Sequence, residues 1–143
     1  MKVLGTLVLP AVVCLALGAT TTLQAQERMR TGMWENTVTG SGQTATRSHC
    51  FKPADAALSN GSPAVVRAET EKALAKSGCT LQDFKLDSNN LTLTMTCGKD
   101  VTLQETSFHG GDSFETTMTS KGEGATRVMQ VKGRRTGDCK AGE

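Results

Sequence analysis

Short segments in which threonine alternates with apolar residues constrain the fold more than any other feature of this chain. The clearest is 91–97, which reads Leu-Thr-Leu-Thr-Met-Thr-Cys. Side chains of a strand point alternately to its two faces, and the β-branched side chain of threonine suits a pleated surface. The pattern therefore predicts strands with one buried apolar face and one polar face in water.

Seven segments of the chain suit strands, and most are separated by short gaps rich in Gly, Asn or Asp, which favour antiparallel neighbours. They are 33–39, 44–51, 80–86, 91–97, 101–108, 113–120 and 125–134. A helix is predicted over 63–77, because Ser62 suits an N-cap and Pro63 the first helical position. Gly78 suits the position after its end, and 52–58 could add a short helical turn. The buried stripe of the main helix is predicted to be Val66, Ala73 and Leu74.

These elements predict a mainly β (α+β) fold. We expect a curved antiparallel meander or half-barrel of about seven strands, with one helix packed on its concave face. Val101 and Leu103 share the numerical parity of Leu93 and Met95, as Met129 does, and are therefore placed on the buried face.

The first residues of the chain have the layout of a secretory signal peptide. Lys2 is followed by an uncharged apolar run at 3–18 and by small and polar residues up to Ala25. A run of about sixteen residues is short for a membrane span. We therefore expect a signal peptide at 1–25 and a single disulfide-stapled β domain at 26–143, periplasmic or secreted, with no stable membrane span after cleavage.

Four cysteines remain when Cys14 leaves with the signal peptide: Cys50, Cys79, Cys97 and Cys139. An even number of cysteines in a short exported chain predicts disulfides, here two. No C-x-x-C spacing is present, so neither a thioredoxin-type redox pair nor a zinc knuckle is indicated. The loop-closure model stabilises the main alternative pairings equally within its error, so energy alone leaves the connectivity open.

The register of the 80–86 and 91–97 hairpin bears on this choice. Pairing Leu86 with Leu91 places Phe84 opposite Leu93, and a bulge near 82–83 would bring residue 79 opposite residue 97. This register favours disulfides Cys79–Cys97 and Cys50–Cys139. The alternative is Cys50–Cys79 with Cys97–Cys139.

Several motifs of the domain resemble those of a bacterial exported family catalogued as domain of unknown function 3617. They are the opening Gly32-Met33-Trp34-Glu35, Cys50 followed by Pro53, the spaced Cys79 and Cys97, Phe114, and the closing Gly-Arg-Arg-Thr-Gly-Asp-Cys at 133–139. The resemblance covers nearly all of the chain after the signal peptide and implies the periplasm of a Gram-negative bacterium. It implies no catalytic residue, because the family has no assigned activity.

Composition and motifs argue against several function classes. Sixteen basic residues against 14 acidic ones leave too small a charge for a nucleic-acid binder. His49 and His109 lie in no metal-binding spacing, and no G-x-S-x-G motif is present. We therefore expect no enzyme, no metal site and no cofactor.

The function favoured by these observations is that of a non-enzymatic binding or accessory protein of the bacterial envelope. A curved sheet could offer a groove for a small apolar or envelope-derived ligand, with adaptable methionines in its lining. The candidate lining residues are Trp34, Leu93, Met95, Leu103, Met118 and Met129. Ordinary core packing is the competing interpretation for all six, above all for Trp34. The alternative function is a structural or interaction module that pairs with an envelope partner through a sheet edge.

Overall fold

The structure, a computed structural model, describes residues 27–140 and 142, so the predicted signal peptide lies outside the described residues. The elements along the chain are β1 (Gly32–Gly40), β2 (Gln43–Phe51), α1 (Pro53–Ser59), α2 (Pro63–Lys76), β3 (Cys79–Leu86), β4 (Asn90–Cys97), β5 (Asp100–His109), β6 (Ser113–Gly122) and β7 (Ala125–Gly137). All seven strands form one open antiparallel sheet in the order β2-β1-β7-β6-β5-β4-β3. The predicted mainly β antiparallel fold is confirmed, with two helices where one was expected.

The two helices begin and end where local chemistry favours it. In α2 the Ser62 hydroxyl accepts a hydrogen bond from the Val65 N–H at 3.4 Å, and Pro63 occupies the first turn. Gly78 follows its end with a φ of 70°, a backbone conformation that favours glycine. Of the predicted stripe, Val66 and Leu74 are half-buried whereas Ala73 is exposed, so α2 is only partly covered by the sheet.

Both helices belong to a crossover between the two edges of the sheet. Strands β2 and β3 are the edge strands, and the chain between them has to cross the whole sheet. Seven strands span six gaps, about 29 Å, whereas the fourteen residues of α2 span about 21 Å. The short helix α1 and its junction with α2 supply the rest of the distance.

One face of the sheet, which we call the inner face, carries the core. It is the face of Trp34, Leu93 and Met95, whose exposed fractions are 0%, 4% and 9%. The register continues it across the sheet, since Met95 lies opposite Thr102, and Thr102 lies opposite Ser120. Because the buried side chains lie on this face, we place the crossover there. The opposite side is called the outer face.

Leu103 was predicted on the buried face, and this prediction is wrong. The β4–β5 turn contains two residues, so Cys97 lies opposite Asp100 and odd residues of β4 face even residues of β5. Leu103 therefore lies opposite Thr94 on the outer face with 37% of its surface exposed, and Val101 lies beside it at 44%.

Threonines take the inner-face positions of β5 instead. Thr102 and Thr106 are buried there, and their hydroxyls need partners because an unpaired buried polar group is costly. The Thr102 hydroxyl hydrogen-bonds the Ser120 hydroxyl at 2.7 Å, and the Thr106 hydroxyl bonds that of Thr116 at 2.8 Å. The middle of the sheet is thus held by cross-strand hydroxyl pairs as well as by apolar packing.

Two disulfides each tie one edge strand of the sheet. Cys79 of β3 bonds Cys97 of β4 across the hairpin, with their Cα atoms 4.3 Å apart, and the register shift between Leu81 and Asp83 is the bulge that brings them opposite each other. Cys50 of β2 bonds Cys139, just after β7, over a Cα distance of 5.4 Å. This is the pairing that the hairpin register favoured over the sequential alternative.

The segment before β1 connects the helix junction to the β5–β6 turn. Asn60, between α1 and α2, accepts a hydrogen bond from the Met29 N–H at 3.0 Å and donates its side-chain amide to the Met29 carbonyl at 2.8 Å. The Arg30 N–H then donates to the Gly111 carbonyl at 2.9 Å. These contacts order the chain immediately before its first strand.

Candidate functional site

A groove of about 420 Å³ opens on the inner face beside the core. It lies at the end of the sheet that carries the β1–β2 and β6–β7 turns, which we call the upper end. Its lining comes from β1, β2, β6 and β7: Val38, Gly40, Ser41, Gln43, Ala45, Met118, Ser120, Arg127, Val128 and Met129. The volume lies within the range of about 300–1,000 Å³ that is typical of small-molecule sites.

The register explains why these side chains meet. Met118 of β6 lies directly opposite Met129 of β7, and Val38 of β1 lies directly opposite Ala45 of β2. Val38 also pairs with Val131 of β7, so these side chains share the inner face in neighbouring rows. The result is an apolar floor on four adjacent strands.

The floor of the groove is accessible to solvent. Met129 has 37% of its surface exposed, Ala45 is also exposed, and Met118 and Val38 are half-buried. Methionine side chains are flexible and polarizable, so they can repack around ligands of different shape. An exposed apolar floor with methionines at its centre is suited to holding an apolar molecule.

Arg127 lies at the upper rim of this groove. It is exposed and lies opposite Ser120 on the inner face, two residues before Met129. Among the described residues its guanidinium makes no ion pair or side-chain hydrogen bond. A cationic group therefore stands at one end of an apolar floor.

The predicted lining residues divide into three groups. Met118 and Met129 line the groove. Trp34, Leu93 and Met95 are buried in the core away from it, and Leu103 lies on the outer face, so these four do not contribute to the lining. Sequence reasoning missed Val38 and Ala45, because only the pairing of β1 with β7 brings them near Met118, and it also missed Arg127, which the β6–β7 hairpin places opposite Ser120.

Trp34 belongs to an aromatic cluster at the lower end of the inner face. Its ring centroid lies 5.8 Å from that of Phe114 and 6.3 Å from that of Phe51, and Phe108 extends the cluster beyond Phe114 at 6.4 Å. The indole N–H donates a hydrogen bond to the Arg30 carbonyl at 2.9 Å, which satisfies its polar atom. Completely buried, Trp34 packs the core and has no surface for stacking on a ligand.

The outer face carries ion pairs between neighbouring strands. The Arg134 guanidinium donates to Glu35 Oε1 through Nε at 3.1 Å and through Nη2 at 3.0 Å, and the Lys132 ammonium lies 3.0 Å from Glu115 Oε1. The hydrogen bond from Lys132, with the charge of its ammonium, holds the pKa of Glu115 below its ordinary value. These exposed pairs occupy the basic side chains of the β7 outer face.

The two histidines are not brought together. His49 lies on β2, where it contacts Phe51 with ring centroids 6.4 Å apart, and His109 lies at the end of β5 on the outer face. Within residues 27–140 and 142, no group of three or more His, Cys, Asp and Glu side chains could hold a metal ion. In the same part of the chain, no helix is long and apolar enough to cross a bilayer.

The two edge strands differ in how open they are to pairing. Strand β2 pairs with β1 in unbroken register over nine residues, and its residues 43–49 are exposed. Strand β3 is interrupted by its bulge, carries Asp83 and Lys85, and contacts α2, which precedes it in the chain. Bulges and charges protect an edge from pairing, so β2 is the less protected edge of this sheet.

The chain was compared with known families, curated proteins and solved structures. A family model described as "Protein of unknown function (DUF3617)" matches residues 29–139. No curated protein and no solved structure matches the chain.

Proposed function

The chain belongs to the DUF3617 family, and from this and the groove we propose that it is a non-enzymatic binding protein of the bacterial envelope, exported to the periplasm or secreted. Its ligand is a small apolar or envelope-derived molecule that lies in the groove on the inner face. The observation that carries the proposal is the exposed apolar floor formed by Val38, Ala45, Met118 and Met129.

The contrast between the two halves of the inner face supports a binding role. Towards β4 the apolar side chains of Leu93 and Met95 are buried. On β6 and β7, which lie nearer to β1 and β2, the cross-strand pair of Met118 and Met129 is accessible to solvent. Exposing apolar surface costs about 25 cal/mol per Å², and a contiguous exposed patch commonly marks a binding site. A ligand in the groove would remove this surface from water.

The lining also supports a role without chemistry. Its polar side chains are Ser41, Gln43, Ser120 and Arg127, and none of the lining residues is a His, Cys, Asp or Glu. General acid–base catalysis depends mainly on those residue types, and a serine nucleophile needs an adjacent base, which this lining does not supply. A groove with this lining is suited to holding a molecule, and reversible binding needs no more.

The export of the domain is supported by its cysteines. Both disulfides are compatible with a protein outside the cytoplasm, because oxidising compartments form and preserve such bonds and the cytosol rarely does. The predicted signal peptide would deliver the chain there. Because these bonds tie both edge strands to the sheet, the domain is most stable in an oxidising compartment.

A titration with the apolar fluorophore N-phenyl-1-naphthylamine tests the binding proposal. The expected result is saturable binding with one site per chain, weakened roughly tenfold by Met129→Gln, since that change replaces apolar surface that the ligand would cover by an amide. Leu103→Gln is the matched control, because Leu103 and Met129 have the same exposed fraction of 37% on opposite faces.

The result that would overturn the proposal is the absence of saturable binding, or equal weakening by the two variants. Equal unfolding midpoints of the two variants in guanidinium chloride would show that lost binding does not reflect lost folding. The pair of substitutions thus separates the groove from general surface hydrophobicity.

The open edge of β2 favours a second candidate function, an interaction module that adds a strand from an envelope partner. Its test is capture of a partner from periplasmic extract by the wild type and by Thr46→Lys, with a lysine at the centre of β2. Thr94→Lys, on the outer face of the interior strand β4, is the control. The function is supported if the wild type and Thr94→Lys capture the partner and Thr46→Lys does not. It is contradicted if none of the three proteins captures a partner or if all three capture it.

A further inference from the structure

We propose that the groove selects a single-chain amphiphile with an anionic head group, which Arg127 binds while the apolar chain lies on the floor formed by Val38, Ala45, Met118 and Met129. This inference rests on the proposed function and adds to it the chemical class of the ligand. It is carried by the position of Arg127 at the rim of the groove and by its guanidinium, which makes no ion pair or side-chain hydrogen bond among the described residues.

The arginines of the described residues fall into two groups. Five of them contact a carbonyl or carboxylate oxygen: Arg28, Arg30, Arg67, Arg134 and Arg135. Arg47 and Arg127 make no ion pair or side-chain hydrogen bond within 27–140 and 142. Of these two, only Arg127 lines the groove. Its five N–H donors are thus available at the site where the apolar floor begins.

Carboxylates do stand near Arg127, but none neutralises it. Asp100 and Glu123 border a separate shallow depression that Arg127 also reaches. Glu123 pairs with Lys99, and Asp100 lies on β5, two strands from β7. Neither carboxylate comes within 4.0 Å of the guanidinium. The charge of Arg127 is therefore available for an anion from outside the chain.

The polarity of the lining changes in one direction along the groove. At the rim, Arg127 lies opposite Ser120 across β6 and β7, and Ser41 stands in the β1–β2 turn, whereas Gln43 lies lower, in the row of Met129. Further down the strands lie Met129 and Met118, directly opposite each other. A molecule with one polar end and one apolar end matches this order, with its polar end at the upper rim.

The chemistry of the rim selects the sign of that polar end. A guanidinium is planar and always charged, and it binds carboxylate and phosphate groups through two parallel hydrogen bonds. A quaternary ammonium or other cationic head would be repelled from Arg127. A neutral hydroxyl would accept hydrogen bonds from the guanidinium without the attraction between opposite charges, so it would gain less than an anion.

Decanoate and decan-1-ol are the probes that test this inference, because they share an apolar chain and differ in the head group. Each is titrated at pH 8 below its aggregation concentration, by isothermal calorimetry or by displacement of N-phenyl-1-naphthylamine. The proteins are the wild type, Arg127→Gln and Arg47→Gln. Arg47 is the matched control, since it is also exposed and unpaired among the described residues but does not line the groove.

The expected result is that Arg127→Gln weakens decanoate about fivefold, as expected for an ion pair at a partly open site. The same variant leaves decan-1-ol within twofold, and Arg47→Gln leaves both ligands within twofold. Equal weakening of decanoate by the two arginine variants would overturn the inference, because it would indicate only general charge attraction. Unchanged decanoate binding by Arg127→Gln would overturn it as well.

The failure of the proposed function has a different signature. If the groove binds neither decanoate nor decan-1-ol, both the binding proposal and the inference fall. If decan-1-ol binds and Met129→Gln weakens it while Arg127→Gln changes neither ligand, the groove binds apolar molecules and only the selection of an anion is wrong. The two outcomes therefore distinguish failure of the proposed function from failure of the anion selection alone.

Discussion

The ring of Phe114 lies against the backbone of Gly133, its direct partner across β6 and β7, and fills the space where a side chain at 133 would stand. A Cβ atom on Gly133 would overlap Phe114 Cε1. The same ring packs against Trp34 with centroids 5.8 Å apart. Position 133 thus requires a glycine, because the aromatic cluster occupies the space that a side chain there would need.

We expect Gly133→Ala to lower the free energy of unfolding by about 1–3 kcal/mol, the usual cost of overpacking a core. Guanidinium chloride unfolding followed by Trp34 fluorescence measures the change. Gly40→Ala is the control, because a Cβ there would lie 3.6 Å from Met129 Cβ, an ordinary contact. A Gly133→Ala protein as stable as Gly40→Ala would show that the aromatic cluster can move aside.

The reciprocal hydrogen bonds of Asn60 give a second prediction. Asn60→Asp keeps the acceptor for the Met29 N–H but removes the donor to the Met29 carbonyl and places a carboxylate beside that oxygen. We expect a loss of about 1–3 kcal/mol in unfolding free energy, as for an unsatisfied partner. Faster exchange of the Arg30 amide with solvent deuterium should accompany it, since that amide bonds Gly111 in the same segment.

Asn89→Asp controls for the change of charge, because Asn89 contributes a backbone carbonyl to the Phe108 N–H, a bond that the substitution retains. If Asn60→Asp and Asn89→Asp lower stability equally, the segment before β1 does not depend on the Asn60 amide.

The disulfides differ in the length of chain that they close. Cys50–Cys139 joins residues 89 positions apart, and Cys79–Cys97 joins residues 18 apart. The loop-closure model gives about 4.6 kcal/mol for the first and about 3 kcal/mol for the second. We expect the double variant Cys50→Ser with Cys139→Ser to unfold at a lower guanidinium concentration than Cys79→Ser with Cys97→Ser. The reverse order would show that loop closure is outweighed by another effect of the bond between β3 and β4.

The ion pair of Glu115 gives a pH-dependent prediction. Because Lys132 lowers the pKa of Glu115 in the folded state, the pair contributes stability above the ordinary glutamate pKa, and this contribution is lost as the pH falls through the folded value. The contribution is small because the carboxylate is exposed. A carbon-13 NMR titration should show the Glu115 pKa rising in Lys132→Gln and unchanged in Lys121→Gln. An unchanged pKa in Lys132→Gln would contradict the assignment of its cause.

Much of the fold could be predicted from local pattern, and the groove could not. The alternation at 91–97 and the register set by Leu86 and Leu91 predicted the β3–β4 hairpin and its bulge, and the structure confirms both. Leu103 was misplaced because a turn of two residues reverses numerical parity between strands. The groove depends on the long-range pairing of β1 with β7, for which the chain carries no local signal.

The bond between Cys50 and Cys139 has a consequence for how two copies of the chain can associate. It holds the end of β2 beside the end of β7, with the first residues of β1 between them. A hairpin at the edge of a sheet, joined to the other strands through one crossover, is otherwise able to exchange with the same hairpin of another molecule. Once this bond has formed, the β1–β2 hairpin remains anchored to its own chain, and strand exchange would require its reduction.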